Sequence, residues 1–288
     1  MPGPISKNIQ KNLGLVFFSL SVISIFFLYS ISFVPDHAIL GQNQNQTMSN
    51  TQIETIPEPS LIDSSLSVEK VADGFDFPTG MEFIGNNDIL LIEKNSGNIL
   101  RILNGNVTHQ LLHIDVSFKD ERGLLGISIS NNEESSEDDA FVYLYFSLCI
   151  KDKITAIQDC GNYVYRYELD ARNNELIDPK LILSLPGLPG PSHNGGRLLM
   201  DKEKNLFVTI GDLQSTKFNQ NNTGYDTKSQ NIMNGTSPDG RAGILRITQD
   251  GQPVGTGILG DNYPLNLYYA YGIKNSFGIA IDPLTGNL

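Results

Sequence analysis

Basic residues are scarce in this sequence. Twenty Lys and Arg residues stand against 32 Asp and Glu, and the formal net charge is −12. No cluster of basic residues offsets that charge locally, so the chain would repel the phosphate backbone of a nucleic acid. Helical periodicity is missing from the whole region after the N-terminal segment, while 27 glycines and 14 prolines indicate many turns between short strands. The composition therefore excludes nucleic acid as a partner and predicts an all-β domain.

Several common catalytic motifs are also missing. The sequence contains no G-x-x-x-x-G-K-[ST] loop, so we do not expect it to bind a nucleoside triphosphate. The segment from Gly126 to Ser130 lacks the last glycine of a nucleophile elbow. The segment from Asp201 to Asn205 lacks the central glycine and the ligands of an EF-hand loop, and we interpret it as a turn between strands.

One long stretch of the sequence carries no charge. Residues 13–34 are 22 uncharged residues, enough for a helix to cross a hydrocarbon core of ~30 Å. Lys7 and Lys11 precede this stretch, which predicts that residues 1–12 are cytoplasmic and that the rest of the chain lies outside. A cleaved signal peptide is the alternative, although its apolar region is usually roughly 7–15 residues long and ends in small residues. We therefore expect an uncleaved membrane anchor, with the protein on the extracytoplasmic side.

A repeated unit fills the sequence after a polar linker. Residues 35–66 are rich in Asn, Gln, Ser and Thr, which predicts a flexible stalk before a folded domain at residues 67–288. In that domain a Gly-led alternating stretch, a polar turn and a second β-rich run recur. The copies begin at Pro78, Gly123, Asn194 and Asn275. Such repetition predicts a β-propeller; a β-sandwich is the alternative, but it does not repeat one unit four times.

The fourth copy stops in its first turn, at Leu288. A propeller must close its ring, because an open flank exposes unpaired backbone groups. We therefore expect the chain to be a fragment of a longer protein, with about four blades begun.

The two cysteines lie at the ends of a polar loop. Cys149 and Cys160 separate two strand-like runs, and no further Cys or His at close spacing suggests a zinc site. In an oxidising exterior the pair is expected to form a disulfide across a hairpin loop, and two free thiols are the alternative.

His193 is the most chemically suggestive residue. It follows a Pro/Gly-rich segment and precedes Gly195 and Gly196, which allow a ligand or a backbone to approach closely. A histidine in such a loop can act as a base near neutral pH when a partner fixes its tautomer, and Asp212 after the next strand is a candidate partner. The alternative is that His193 is an ordinary hydrogen-bonded loop residue. The remaining histidines are weaker candidates: His37 in the stalk, and His109 and His113 in a connecting segment.

Two further loops carry polar residues just before predicted first strands. Glu121 precedes the second copy, and Lys274 and Asn275 precede the fourth. Loops that lead into the blades of a propeller gather around one end of its central channel. We therefore expect these residues to lie near His193, although each charge taken singly is equally compatible with a solvated surface.

Four segments together resemble a known family. The segments ERGLLGIS, HNGGRLL with VTIGD, GRAGILRI and YAYGIKNSFGIAIDPLTGNL, in this order, resemble the PQQ-dependent aldose sugar dehydrogenases of the glucose/sorbosone dehydrogenase family. The resemblance extends from about residue 68 to the end. It implies a six-bladed β-propeller that uses pyrroloquinoline quinone (PQQ) and calcium to oxidise an aldose and passes the electrons to an acceptor of unknown identity.

The resemblance also implies roles for the residues named above. His193 would remove the proton from the anomeric hydroxyl while hydride passes to PQQ, with Asp212 behind it. Lys274 and Asn275 stand where the family has an Arg-Asn pair that contacts the quinone, and Glu121 stands in a loop near cofactor and sugar. Lys274 keeps the positive charge but not the planar two-pronged geometry of arginine.

The family's calcium ligands and further basic residues are expected beyond Leu288, so no metal ligand is assigned within this chain. Two other classes of function stay open. One is a non-catalytic propeller that binds glycans or a protein partner at the cell surface. The other is a propeller lactonase, which would need a cluster of metal-binding carboxylates that the sequence does not show convincingly.

Overall fold

The computed structural model describes residues 61–131, 140–151, 158–213 and 238–288. Within these ranges the chain forms twelve β-strands and one 3-10 turn at Leu265–Leu267, and it contains no α-helix. The strands are β1 (Pro78–Gly85), β2 (Asp88–Glu93), β3 (Asn98–Leu103), β4 (Asn106–His113), β5 (Leu124–Asn131), β6 (Ala140–Lys151), β7 (Gln158–Asp170), β8 (Glu175–Pro186), β9 (Leu198–Met200), β10 (Leu206–Ile210), β11 (Gly243–Ile247) and β12 (Tyr268–Tyr271). The all-β prediction is confirmed.

The strands form three four-stranded antiparallel sheets. Each sheet takes four strands in chain order, β1 to β4, β5 to β8 and β9 to β12, so that each is a simple meander. The first strands of neighbouring sheets approach one another closely. A Cβ atom added to Gly80 on β1 would lie 3.2 Å from the Ile127 side chain on β5. Successive four-stranded meanders that meet through their first strands are blades of a propeller-like fold, whereas closure into six blades stays a prediction.

The middle sheet packs between the other two. On β6, Val142, Leu144 and Phe146 belong to the apolar cluster shared with the first sheet. Tyr143 and Tyr145, which alternate with them, belong to the cluster shared with the third sheet. Alternate residues of a strand point to opposite faces, so β6 is apolar on both faces because both are covered.

The predicted disulfide is confirmed. Cys149 and Cys160 are bonded to each other and lie directly opposite in the pairing of β6 with β7. This hairpin continues as far as the pair Lys151 and Gln158, beyond the point at which β5 begins to pair with β6.

Two sequence-based expectations about strands are wrong. His109 and His113 do not lie in a connecting segment but on β4, the outer strand of the first sheet. Most of β4 is exposed on both faces, so it lacks the apolar alternation that would reveal a strand. The copy that begins at Asn275 forms no first strand within the described residues 272–288. These residues contain a turn, in which the Asp282 amide donates to Asn287 O at 2.8 Å.

Most of the N-terminal region lies outside the described residues. The predicted cytoplasmic segment 1–12, the anchor 13–34 and nearly all of the stalk lie outside the described residues. Among the residues that are described, no helix is long and apolar enough to span a membrane.

Candidate active site

The predicted site residues lie at one edge of the three sheets. In an antiparallel meander the first strand begins at the edge where the second and fourth strands end. The segment that leads into β5 therefore lies at the same edge as the segments after β8, β10 and β12. These segments carry, in order, Glu121, His193, Asp212 and Lys274 with Asn275.

His193 and Asp212 form the predicted pair. The His193 Nδ1 and Asp212 Oδ1 atoms are 2.6 Å apart, and the Asp212 side chain is fully buried, whereas 22% of the His193 side chain is exposed. An ionised carboxylate can only accept a hydrogen bond, so this contact favours the tautomer with the proton on Nδ1. That tautomer leaves the Nε2 lone pair available to accept a proton.

Glu121 holds the loop that carries His193. Glu121 Oε2 accepts hydrogen bonds from the His193 backbone N–H at 2.6 Å and from Asn275 Nδ2 at 2.9 Å. Asn275 Oδ1 in turn accepts from the Gly195 N–H at 3.2 Å. Glu121, through Oε2, and Asn275, through both polar atoms of its side chain, thus join three loops to one another. Their expected cofactor contacts stay a prediction.

Lys274 meets the pair through its backbone. Its carbonyl oxygen accepts from the Asp212 N–H at 2.9 Å, while the residue as a whole is exposed. Gly211 makes this close approach possible, because a Cβ atom at that position would lie 2.3 Å from His193 O and 2.5 Å from Lys274 O. The glycine before Asp212 is therefore required by the crossing of two backbone segments.

Two cations that sequence reasoning missed support the Glu121 loop. Lys94 donates from Nζ to Asp120 O at 2.8 Å, and Arg122 donates from Nη2 to Gly187 O at 2.7 Å. Burial lowers the pKa of both side chains, and the negative charge of Asp120 opposes that shift in each case. Lys94 lies in the turn between β2 and β3, far from Glu121 in sequence, so no local signal marks its role.

Within the described residues, no group of three or more His, Cys, Asp or Glu side chains is arranged to hold a metal ion. Calcium binding therefore stays a prediction.

The chain is similar to sugar dehydrogenases over most of its described part. It is 27% identical over 212 residues to quinoprotein glucose dehydrogenase B of Acinetobacter calcoaceticus, covering 68% of this chain and 42% of that protein. It is 26% identical to the PQQ-bound aldose sugar dehydrogenase of Streptomyces coelicolor, with a TM-score of 0.51 over 72% of this chain and 54% of that one. A structure described as glucose dehydrogenase has a TM-score of 0.60 at 20% identity, over 77% of this chain and 63% of that one, and supports the fold alone.

The chain spans about half of the length of these relatives. Residues 75–288 match the family model described as Glucose / Sorbosone dehydrogenase. The family predicted from the four sequence segments is confirmed, and the chain belongs to the glucose/sorbosone dehydrogenase family.

Proposed function

We propose that this protein is an enzyme that oxidises an aldose at its anomeric carbon, with His193 as the general base and PQQ as the hydride acceptor. The observation that carries this proposal is the 2.6 Å contact between His193 Nδ1 and the fully buried Asp212 carboxylate. A base whose second nitrogen is held by a buried carboxylate is oriented and has a fixed tautomer, as general-base catalysis requires.

The roles of the side chains follow from this contact. His193 Nε2 takes the proton of the anomeric hydroxyl, and Asp212 stabilises the imidazolium that results. Loss of that proton drives electron density from the oxygen toward the anomeric carbon, so that a hydride can leave it as the carbonyl forms. When PQQ is bound, the chemistry that it supplies is acceptance of this hydride.

The positive charge of Lys274 fits an anionic quinone. Lys274 is exposed beside the His193 loop, and its ammonium group is suited to pair with a carboxylate of the quinone. No step is assigned to calcium, because no metal-binding cluster is formed within the described ranges.

The test is sugar-dependent reduction of a dye by the complete protein, including any sequence that follows Leu288, supplied with PQQ and Ca²⁺. His193→Ala should lower the turnover rate by about 10²–10⁴-fold, the usual contribution of a general base. His113→Ala is the matched control, because His113 also contacts a polar side chain, Asn98 Oδ1 at 3.0 Å, but lies on the outer strand β4. Its turnover should match the wild type.

Two outcomes would contradict the proposal. Turnover retained by His193→Ala would remove His193 as the base. A wild-type chain that binds an immobilised glycan but reduces no dye with any aldose would favour a non-catalytic surface propeller instead.

We also propose that residues 13–34 anchor the protein in a membrane with the propeller-like domain on the extracytoplasmic side. The disulfide between Cys149 and Cys160 supports this location, since such bonds persist in oxidising surroundings.

A further inference from the structure

A chain of buried polar side chains lies directly behind His193. It begins at Ser147 on β6, passes through Asn162 on β7 and ends at Asn194, the residue after His193. Asn162 and Asn194 are fully buried, and Ser147 is 1% exposed. Tyr145, also on β6 and fully buried, contacts the same residue, Asn194. The middle sheet therefore reaches the His193 loop through hydrogen bonds as well as through packing.

The contacts use most of the polar atoms of Asn194. Its backbone oxygen accepts from the Tyr145 hydroxyl at 2.9 Å, and its Oδ1 accepts from Asn162 Nδ2 at 3.1 Å. Its Nδ2 donates to Pro191 O, across the turn that carries His193. Asn194 is thereby held from β6, from β7 and from its own loop.

Asn162 is itself held on both sides of its amide. Its Oδ1 accepts from Ser147 Oγ at 2.6 Å, and its Nδ2 donates to Pro186 O at 2.9 Å as well as to Asn194. A buried polar group that loses one of its partners is destabilising, so these hydrogen-bonded side chains resist displacement.

The backbone of His193 needs such support. Its φ angle is +62°, in the left-handed region that residues with a side chain adopt only infrequently, and Gly195 and Gly196 follow with positive φ angles. A sparsely populated backbone conformation persists only where its surroundings determine it. The hydrogen bonds to Asn194, together with the one that the His193 N–H donates to Glu121, hold the backbone of His193 in this conformation.

We propose that Tyr145 and Asn162 are positioning residues for His193. They hold Asn194, and through it they hold the imidazole ring in the orientation that meets Asp212. The structural part of this inference stands on the contacts above, and its catalytic part rests on the proposed role of His193 as base.

The chain offers a closely matched control in Tyr143. Tyr143 and Tyr145 both lie on β6, both are fully buried, and both point into the same apolar cluster. The Tyr143 hydroxyl contacts Gln249 O at 3.3 Å, in the turn that follows β11, instead of the His193 loop. Replacing either tyrosine by phenylalanine removes one hydroxyl from the same strand and the same core.

The experiment measures the ¹⁵N chemical shifts of the His193 ring in the full-length chain labelled with ¹⁵N-histidine, at a pH where the ring is neutral. The signals are assigned by their loss in His193→Gln. The wild type and Tyr143→Phe should show the single tautomer with the proton on Nδ1. Tyr145→Phe and Asn162→Ala should show a mixture of the two tautomers, because the ring is no longer held against Asp212.

Turnover provides a second readout. In dye reduction, Tyr145→Phe should lower kcat by up to about 10²-fold with little change in KM, the scale expected for a misplaced catalytic group, and Tyr143→Phe should not. An unchanged His193 tautomer in Tyr145→Phe, or an equal change in Tyr143→Phe, would overturn the inference. Because the shifts are measured without substrate, they decide the positioning role even if the wild type oxidises no sugar, a result that would count against the proposed function alone.

Discussion

At the scale of single residues, the site consists of a histidine whose chemistry is set by its partners. The Asp212 carboxylate is buried and bound to His193 Nδ1, and its own backbone N–H is bound to Lys274 O. A buried carboxylate without a cationic or hydrogen-bond-donating partner would destabilise the fold, so the burial of Asp212 depends on these contacts.

The role of Asp212 can be tested by a substitution that keeps its shape. Asp212→Asn should reduce kcat for sugar oxidation by on the order of 10²–10⁴-fold, because a neutral amide neither selects the Nδ1–H tautomer nor stabilises the imidazolium. Stopped-flow dye reduction measures the change. Asp201→Asn is the control, because Asp201 Oδ1 also accepts backbone N–H groups, from Glu203 and Asn205, but lies in a turn between β9 and β10. Comparable losses in the two variants would show that the effect is not specific to the site.

At the scale of elements, the hairpin of β6 and β7 connects the core to the site. Its strands contribute Tyr145, Ser147 and Asn162 to the support of the His193 loop, and its disulfide closes its outer end. Gly187, at the start of the His193 loop, lies against this hairpin, since a Cβ atom there would be 2.6 Å from the backbone of Cys160. The hairpin of β6 and β7 thus supports the His193 loop and packs against one side of it.

Removal of the disulfide should destabilise the folded domain. The cysteines are 11 positions apart in sequence. In the chain-entropy model, a disulfide that closes a loop of that length lowers the conformational entropy of the unfolded chain and so stabilises the folded state by about 3 kcal/mol. The variant with both Cys149→Ser and Cys160→Ser should lose about that much free energy of unfolding in urea titration. Reductant should bring the wild type to the level of the variant and leave the variant unchanged. A wild type that is insensitive to reductant would contradict this prediction.

At the scale of the whole molecule, the proposed anchor would hold the acidic domain at a membrane surface. The net charge of −12 disfavours nucleic acid, and the uncharged residues 13–34 are the only part of the sequence with the length and composition of a membrane-spanning helix. The electron acceptor would then be reached from the extracytoplasmic side.

Membrane attachment has a direct test. After expression in cells, the full-length chain should stay in the membrane pellet through alkaline carbonate extraction, because a spanning helix is not released by high pH. A chain without residues 1–34 should be recovered in the supernatant. Externally added protease should digest the domain of the full-length chain in intact spheroplasts. Release of the full-length chain by carbonate would contradict the anchor.

The sequence alone was sufficient for the features that repeat or alternate. Apolar runs next to polar turns indicated the inner strands of the blades, such as β2 and β10, because strands covered on both faces are strongly apolar. Ordered motifs indicated the family, and the position of Cys149 and Cys160 at the two ends of a polar loop indicated the disulfide. The residues of the predicted site were also recognisable, since His193 with its glycines and Asp212 after a strand are local patterns.

Only the tertiary structure decided which of these residues touch. The exposed strand β4 was missed because its pattern carries no buried face. The Glu121 carboxylate accepts hydrogen bonds from the His193 backbone and from the Asn275 side chain, residues 72 and 154 positions away, and no local pattern indicated those contacts. Tyr145, Asn162 and Lys94 looked like ordinary strand and turn residues, and they reach the site only because three sheets place their edges together. A sequence records which side chains are available, while hydrogen bonds between distant segments depend on distances that the packing of the sheets creates.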